Sequence, residues 1–203
     1  MRCLDRCGFT AFRLLLTAFL FSCGGGGNSG SSNPSGNTWR VTPDGITGDS
    51  SVILSQNLSQ SSADVLAFDI VVHSVTSDPV YGAAFDLDFD SSVIAWNGTG
   101  SSNCAGVATG CMVGSFLEQT SVNGVLYNVA LQQGTTNTLV IGVTQSSNDP
   151  GAAGSGTLLT LLFKRVAAGS TPLAFSNNAV RSPPPSSSEI LGITWIGVTV
   201  MAQ

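Results

Sequence analysis

Residues 81–96 read YGAAFDLDFDSSVIAW, and the first part of this stretch alternates strictly between two kinds of side chain. One set is apolar and consists of Tyr81, Ala83, Phe85, Leu87 and Phe89. The other set is small or acidic and consists of Gly82, Ala84, Asp86 and Asp88. A period of two predicts a β-strand with one face packed against the protein and the other facing water or a partner. The polar residues after Phe89 predict a turn.

The same alternation recurs along most of the chain after residue 38, and no convincing helical period interrupts it. The predicted strands cover residues 51–55, 65–75, 125–131, 139–144, 158–163 and 193–200. Segments rich in Gly, Ser, Asn and Pro separate them, among them 148–156 and 182–188. Many short strands without helical connections predict an all-β fold, an antiparallel β-sandwich that occupies residues 38–203.

The composition limits the classes of function. Charged residues make up 9% of the 203 residues, and the formal net charge is -5. Without a basic cluster the chain lacks the positive surface that nucleic acids require. His73 is the only histidine, and neither GxSxG nor HExxH occurs. We therefore expect no enzyme, no metal site, no cofactor and no nucleic-acid partner.

The N-terminus is typical of a secretory signal. Arg2, Arg6 and Arg13 precede the apolar run LLLTAFLF at residues 14–21. A membrane-spanning helix needs about twenty apolar residues, so this run is too short to span a bilayer. Its length and its basic lead-in predict a signal peptide over residues 1–22.

The sequence around Cys23 resembles a bacterial lipobox, in which a lipoprotein signal peptidase cuts before a lipid-modified cysteine. The Gly- and Ser-rich stretch that follows predicts a flexible tether, so residues 23–37 form the lipidated cysteine and its linker. Because Gly24 is not Asp, we expect an outer-membrane lipoprotein of the bacterial cell envelope, facing the periplasm or the exterior. Membrane contact is expected only through the lipid anchor. Ordinary secretion with an unmodified Cys23 is the alternative.

The body of the chain contains one pair of cysteines, Cys104 and Cys111. In an exported protein an even number of cysteines predicts a disulfide, here closing the short loop AGVATG. Two free thiols are the alternative, and the mass of the protein with and without reductant distinguishes the two.

Three stretches resemble segments of the cohesin domain family. Residues 85–98, FDLDFDSSVIAWNG, resemble the cohesin strand that ends in an aromatic-Asp-Pro turn, with Ser91 in place of the proline. Residues 154–164, GSGTLLTLLFK, are similar to the stretch in which a glycine turn leads into a strand ending in Phe-Lys. Residues 193–200, ITWIGVTV, resemble the final cohesin strand. The order and spacing match across about residues 48–201.

This resemblance implies a jelly-roll sandwich of about nine strands and a non-catalytic role. It also implies a protein partner, a dockerin module that itself carries calcium, in the setting of polysaccharide degradation or surface assembly. One departure concerns the strand that contains Gly82 and Ala84. Dockerin-binding cohesins place polar residues at those outward positions.

The resemblance further implies that residues 80–89, 125–131, 139–145 and 157–163 form one sheet. Its outward side chains would form a flat binding face of Gly82, Ala84, Asp86, Leu126, Asn128, Ala130, Val140, Gly142, Thr144, Leu158, Thr160 and Leu162. An exposed apolar surface without charges at its centre is typical of a partner site. The alternative is that the segment 166–190 covers this face.

Two other functions remain open at this point. The chain could bind polysaccharide directly through a strip of aromatic rings, drawn from Trp39, Trp96, Trp195, Tyr81 and Tyr127. It could also be a structural envelope protein without a dedicated ligand.

Overall fold

The computed structural model describes residues 39–99 and 104–203. Within these ranges the chain forms nine strands of five or more residues and four shorter ones, with one short α-helix and one 3-10 turn. The longer strands are β1 (Trp39–Pro43), β2 (Ser51–Gln56), β3 (Val65–Val80), β4 (Gly82–Asp88), β8 (Val125–Leu131), β9 (Thr138–Gln145), β10 (Ala152–Arg165), β11 (Gly169–Arg181) and β13 (Val198–Ala202). The shorter ones are β5 (Ile94–Trp96), β6 (Ala105–Gly106), β7 (Cys111–Val113) and β12 (Thr194–Ile196). Helix α1 spans Ser115–Glu118 and the 3-10 turn η1 spans Val107–Thr109.

The strands form two sheets. The first has the order β1-β13-β11-β4-β9-β8, and the second has the order β12-β2-β3-β10-β7-β6. Strand β5 pairs with β10 beside β7. All pairs are antiparallel except β12 with β2. The expected antiparallel jelly-roll sandwich is confirmed, and its nine principal strands match the predicted number.

The core lies between the two sheets, and the period of two decides which side chains enter it. Strand β4 buries Ala83, Phe85 and Leu87 and turns the intervening residues outward. Strands β3 and β9 bury their predicted inward residues in the same way, among them Phe68 and Ile141, and β8 buries Tyr127 and Val129. Each large apolar side chain moved out of water contributes about 1.5–3 kcal/mol, so these faces stabilise the sandwich.

Aromatic rings join the two sheets. The ring of Phe85 lies 5.3 Å from that of Phe175 and 5.4 Å from that of Trp195, measured between ring centroids. Since Phe85 and Phe175 lie in the first sheet and Trp195 in the second, the three rings pack across the core. The Phe85–Phe175 and Phe175–Trp195 pairs are edge-to-face, whereas the Phe85–Trp195 pair is tilted at 53°. Aromatic pairs of this kind add about 0.5–1.5 kcal/mol beyond the burial of their area.

One predicted sheet neighbour is wrong. The expectation placed residues 157–163 in the sheet of β4, β8 and β9, but these residues belong to β10, which pairs with β3 in the second sheet. The neighbour of β4 opposite β9 is β11, which runs through the segment 166–190. Strand β11 is therefore a member of the sheet, and within this segment only the loop after Arg181 borders the outer face.

Two further features frame the domain. Helix α1 packs at one end of the sandwich, where Phe116 and Leu117 are buried and the side-chain amide of Gln145 donates to the Leu117 carbonyl at 2.8 Å. In the described ranges no helix is long and apolar enough to cross a membrane. The predicted signal peptide, Cys23 anchor and tether, residues 1–37, lie outside the described residues.

Candidate docking groove

The outer face of β8, β9, β4 and β11 is built from residues in register across four strands. Leu126, Thr144, Gly82 and Arg181 form one row. The next two rows are Asn128, Gly142, Ala84 and Ala179, then Ala130, Val140, Asp86 and Ser176. Residues directly opposite one another in paired strands point to the same face, so these side chains share one surface.

A groove of about 410 Å³ lies over the first two rows. Its floor is low because Gly82, Ala84 and Gly142 carry little or no side chain. A Cβ atom added to Gly142 would meet nothing within 4 Å, so any side chain there would enter the open space of the groove. Gly82 differs, since its Cβ would come within 2.8 Å of the Val143 carbonyl oxygen. Gly82 allows the strands to pack closely, whereas Gly142 leaves the groove empty.

The two walls of the groove come from opposite sides of the sheet. Leu126, 62% exposed, and Asn128 on β8 form one wall. The other wall is formed by Arg181 at the end of β11 and by the loop that follows it. In that loop the Ser182 N–H donates to the Ser188 carbonyl at 2.9 Å, and the Ser188 N–H donates to the Ser182 hydroxyl at 3.1 Å. These hydrogen bonds hold the loop in position as a wall.

The charges on this face lie away from the groove centre. The Arg181 guanidinium lies at one rim, 3.5 Å from the carbonyl of Ser187. Further along the sheet, Asp86 accepts a hydrogen bond from the Asn177 amide at 2.7 Å. Asp88 accepts from the hydroxyls of Thr138 at 2.7 Å and Ser176 at 2.6 Å. The face thus offers an apolar centre between one cation and two anchored carboxylates.

The Tyr127 ring lies beneath the Leu126 wall, on the inner face of β8. Its hydroxyl donates to the Gly114 carbonyl at 3.3 Å and contacts the Glu118 carboxylate at 3.2 Å. Burial, together with the neighbouring Glu118 carboxylate, raises the pKa of Tyr127 above its ordinary value. The hydroxyl links β8 to both ends of α1, since Gly114 precedes this helix and Glu118 is its last residue.

The structure brings together nine of the twelve residues predicted for the binding face. They are Gly82, Ala84, Asp86, Leu126, Asn128, Ala130, Val140, Gly142 and Thr144, and all except Gly82 are exposed or half-buried. The other three, Leu158, Thr160 and Leu162, are wrong as surface residues, with exposures of 1%, 5% and 1%. They lie on β10, which pairs with β3 along one edge and with β5 and β7 along the other, and every residue from 158 to 163 is buried.

The sequence reasoning missed one wall of the groove. Arg181, Ser182 and Ser187 line it, and none of them was predicted as a site residue. Strand β11 does alternate, with Leu173 buried in the core and Ala174 turned outward. A register shift between Ser176 and Ala179 changes the phase of the pattern within the strand and hides it from a search for a period of two.

Two further chemical features of the domain are its cysteine pair and the arrangement of the side chains that could bind a metal ion. Cys104 and Cys111 are joined by a disulfide in the structure, as predicted. Within the described residues no three His, Cys, Asp or Glu side chains lie close enough to hold a metal ion.

The aromatic rings proposed for sugar stacking do not form an exposed strip on the described surface. Trp39, Trp96 and Tyr127 are buried, and the half-buried Trp195 packs on Phe175 in the core. Half-buried Tyr81 lines the groove, where its hydroxyl donates to the Ser147 carbonyl at 2.6 Å. A polysaccharide-binding surface normally presents several accessible rings, and this face presents one.

Comparison with solved structures identifies the fold. A type II cohesin module from the adaptor scaffoldin of Acetivibrio cellulolyticus superposes with a TM-score of 0.55 at 13% identity, covering 75% of this chain and 95% of that one. A type II cohesin domain from the cellulosome of the same organism gives 0.53 at 15% identity, with 74% and 95% covered. The described domain is therefore a cohesin-like module in its fold.

A third similar structure contains a bound partner. It is a type II cohesin–X–dockerin complex from Acetivibrio cellulolyticus, with a TM-score of 0.54, 12% identity, and coverage of 72% of this chain and 95% of that one. No protein-family model and no curated protein matches the chain.

Proposed function

We propose that this chain is a non-catalytic binding module that docks a protein partner on the outer face of β8, β9, β4 and β11. The observation that carries the proposal is the open groove on that face, with Gly142 in its floor and Leu126 on its rim. An exposed concavity with an apolar floor fits a protruding apolar side chain of a partner. The cohesin-like fold supports a protein rather than a small molecule as that partner.

The partner we propose is a dockerin-bearing protein, with calcium held by the dockerin. A solved cohesin of the same fold is described in complex with a dockerin, which supports this choice. Gly82 and Ala84 stand where dockerin-binding cohesins have polar residues, so the groove floor offers few hydrogen bonds and suits an apolar contact. The dockerin we propose therefore presents an apolar side chain to this floor. The partner would place an acidic group near Arg181, the cation at the rim.

We further propose that Cys23 anchors the module to the outer membrane of a bacterial envelope. The support is the basic lead-in, the short apolar run and the Gly- and Ser-rich linker of the sequence. In this setting docking would bring the partner to the cell surface or periplasm, in surface assembly or polysaccharide breakdown.

Filling the groove tests the docking proposal. Gly142→Leu places an isobutyl group in the groove where nothing clashes, so we expect the domain to fold and its affinity for a bound dockerin to fall at least about tenfold, about 1.4 kcal/mol. Titration calorimetry against a panel of calcium-loaded dockerins, repeated in chelator, measures the effect.

Gly48→Leu is the matched control, since a Cβ at Gly48 also meets nothing within 4 Å but lies far from the groove residues in the fold. We expect this variant to bind as the unaltered chain does. Equal binding by Gly142→Leu would refute the groove as the docking site. Failure of every dockerin in the panel to bind the unaltered chain would refute the proposed partner class.

A further inference from the structure

Strand β8 ends the first sheet with its outer edge unpaired in the described chain. The backbone N–H of Gln132 donates to the Thr138 carbonyl at 2.9 Å, and the backbone N–H of Ser146 donates to the Gly124 carbonyl at 2.9 Å. Because these two bonds flank the β8–β9 ladder and set its phase, the even-numbered residues of β8 hydrogen-bond to β9. In an antiparallel pair successive residues direct their backbone groups to opposite edges. The N–H and C=O groups of the odd-numbered residues therefore point away from the sheet: Val125, Tyr127, Val129 and Leu131.

The other strands that end the two sheets carry features that oppose edge pairing. Strand β1 contains Arg40 and Pro43, and β6 and β12 are only two and three residues long. Strand β8 has seven residues, VLYNVAL, with no charge and no proline, and its register with β9 is continuous. Natural sheets protect exposed edges with charges, prolines, bulges or short strands, and β8 has none of these.

The sequence of β8 is complementary to itself in antiparallel orientation. When Asn128 lies on a two-fold axis, Tyr127 faces Val129 of a second copy, and Val125 faces Leu131 of that copy. This register pairs all four outward-directed residues and forms about eight backbone hydrogen bonds, two for each of four residue pairs.

The side chains match in the same register. Leu126, 62% exposed, would face Ala130 of the second copy, and Leu131, 39% exposed, would face Val125. Two Asn128 amides would meet at the axis, where each can donate to the other. No like charges oppose each other, so the strand meets its own copy without electrostatic cost.

We propose that β8 is a self-association edge, through which two copies of this chain join their first sheets into one continuous sheet across a two-fold axis. The inference is independent of the docking proposal and concerns a second copy as the occupant. A seven-residue edge buries little area, so the interface belongs to the weak class, with a dissociation constant of about 10 µM to 1 mM. A partner sheet would cover the Leu126 wall of each groove from the side.

Opposite charges at the axis test the proposal. Asn128→Lys and Asn128→Asp each place like charges face to face at the centre of the dimer, and each should weaken self-association at least about tenfold. An equimolar mixture should restore it, because the heterodimer pairs Lys with Asp. Sedimentation equilibrium of the full chain carrying Cys23→Ser, over about 10 µM to 1 mM, measures all three samples.

The matched control uses Thr42, an exposed residue on the same face at the opposite edge. Thr42→Lys, Thr42→Asp and their mixture should all associate like the unaltered chain, and near-ultraviolet circular dichroism should show every variant folded. A monomeric unaltered chain across the whole range would overturn the proposal. So would single Asn128 variants that still dimerise, or a mixture that stays monomeric. No docking partner is present in the experiment, so its result is separate from that of the groove test.

Discussion

The carboxylate of Asp149 connects two loops at one end of the sandwich. It accepts hydrogen bonds from the Ser121 hydroxyl at 2.6 Å and the Asn123 side-chain amide at 2.7 Å. The backbone N–H groups of Val122 and Asn123 donate to it at 3.2 and 3.1 Å. The Ser121 hydroxyl first, and then the donors of Asn123 and Val122, lower the pKa of Asp149 against the opposing effect of burial.

This shift predicts a pH dependence of stability. Because the folded pKa lies below the unfolded value of about 3.9, the contribution of Asp149 is fully present above that value and is lost as pH falls through the folded pKa. Asp149→Asn cannot titrate, so we expect a lower Tm at pH 7 and a shallower loss of Tm below about pH 4. Thermal melts between about pH 2 and pH 7 measure both.

Asp64→Asn is the comparison variant, since Asp64 is exposed in the turn before β3. It should keep both the neutral-pH Tm and the acid slope of the unaltered chain. An acid slope of Asp149→Asn equal to that of the unaltered chain would contradict the assignment.

Strands β6 and β7 form a small hairpin that adds to the edge of β10. The pair consists of Ala105 opposite Met112 and Gly106 opposite Cys111, and β7 then pairs with residues 159–161 of β10. Two-residue strands offer few ladder hydrogen bonds, so this hairpin depends on the disulfide between Cys104 and Cys111. The disulfide thereby helps to hold β7 on the edge of β10.

Removing the disulfide tests this role. A disulfide between residues seven apart restricts the conformations of the unfolded chain and so stabilises the fold by about 2 kcal/mol. Cys104→Ala with Cys111→Ala should therefore lower the free energy of unfolding by about that amount. Urea denaturation of the double variant, beside the unaltered chain with and without reductant, measures the change. An unaltered chain that loses nothing on reduction would show that the hairpin holds without its cross-link.

In the whole molecule, the strand at which the described domain begins lies at the opposite edge of the first sheet from β8. Strand β1 forms the edge opposite β8, and the chain enters the described domain there, at Trp39. The groove lies over β8, β9, β4 and β11, and β13 separates these strands from β1.

The proposed anchor predicts where the protein is found in cells. Multiply acylated Cys23 would hold the chain on the membrane effectively permanently, at about 0.8 kcal/mol for each buried CH₂ group. Cys23→Ser should move the protein from the membrane fraction to the soluble fraction, as measured by fractionation and immunoblotting. Cys7→Ser is the matched control and should stay with the membrane. Retention of Cys23→Ser in the membrane fraction would exclude this anchor.

The local pattern was sufficient for the class of fold and for the core. Alternation in β4 and β9 reports which side chains face inward, because a strand's period of two depends only on the extended backbone. The inward positions of Phe85 and Ile141, and the nine correctly predicted residues of the outer face, followed from this property. The resemblance of short stretches in order then led to the cohesin-like sandwich.

Alternation within a strand could not predict which strands pair with it, since it distinguishes the two faces of the strand but carries no information about its neighbours in the sheet. The placement of β10 in the second sheet, and of β11 next to β4, depends on backbone pairing between residues far apart in the chain. For that reason Leu158 and Leu162 are buried, and Arg181 forms a wall of the groove. The inward face of each strand is a local property, whereas the groove exists only after distant strands have paired.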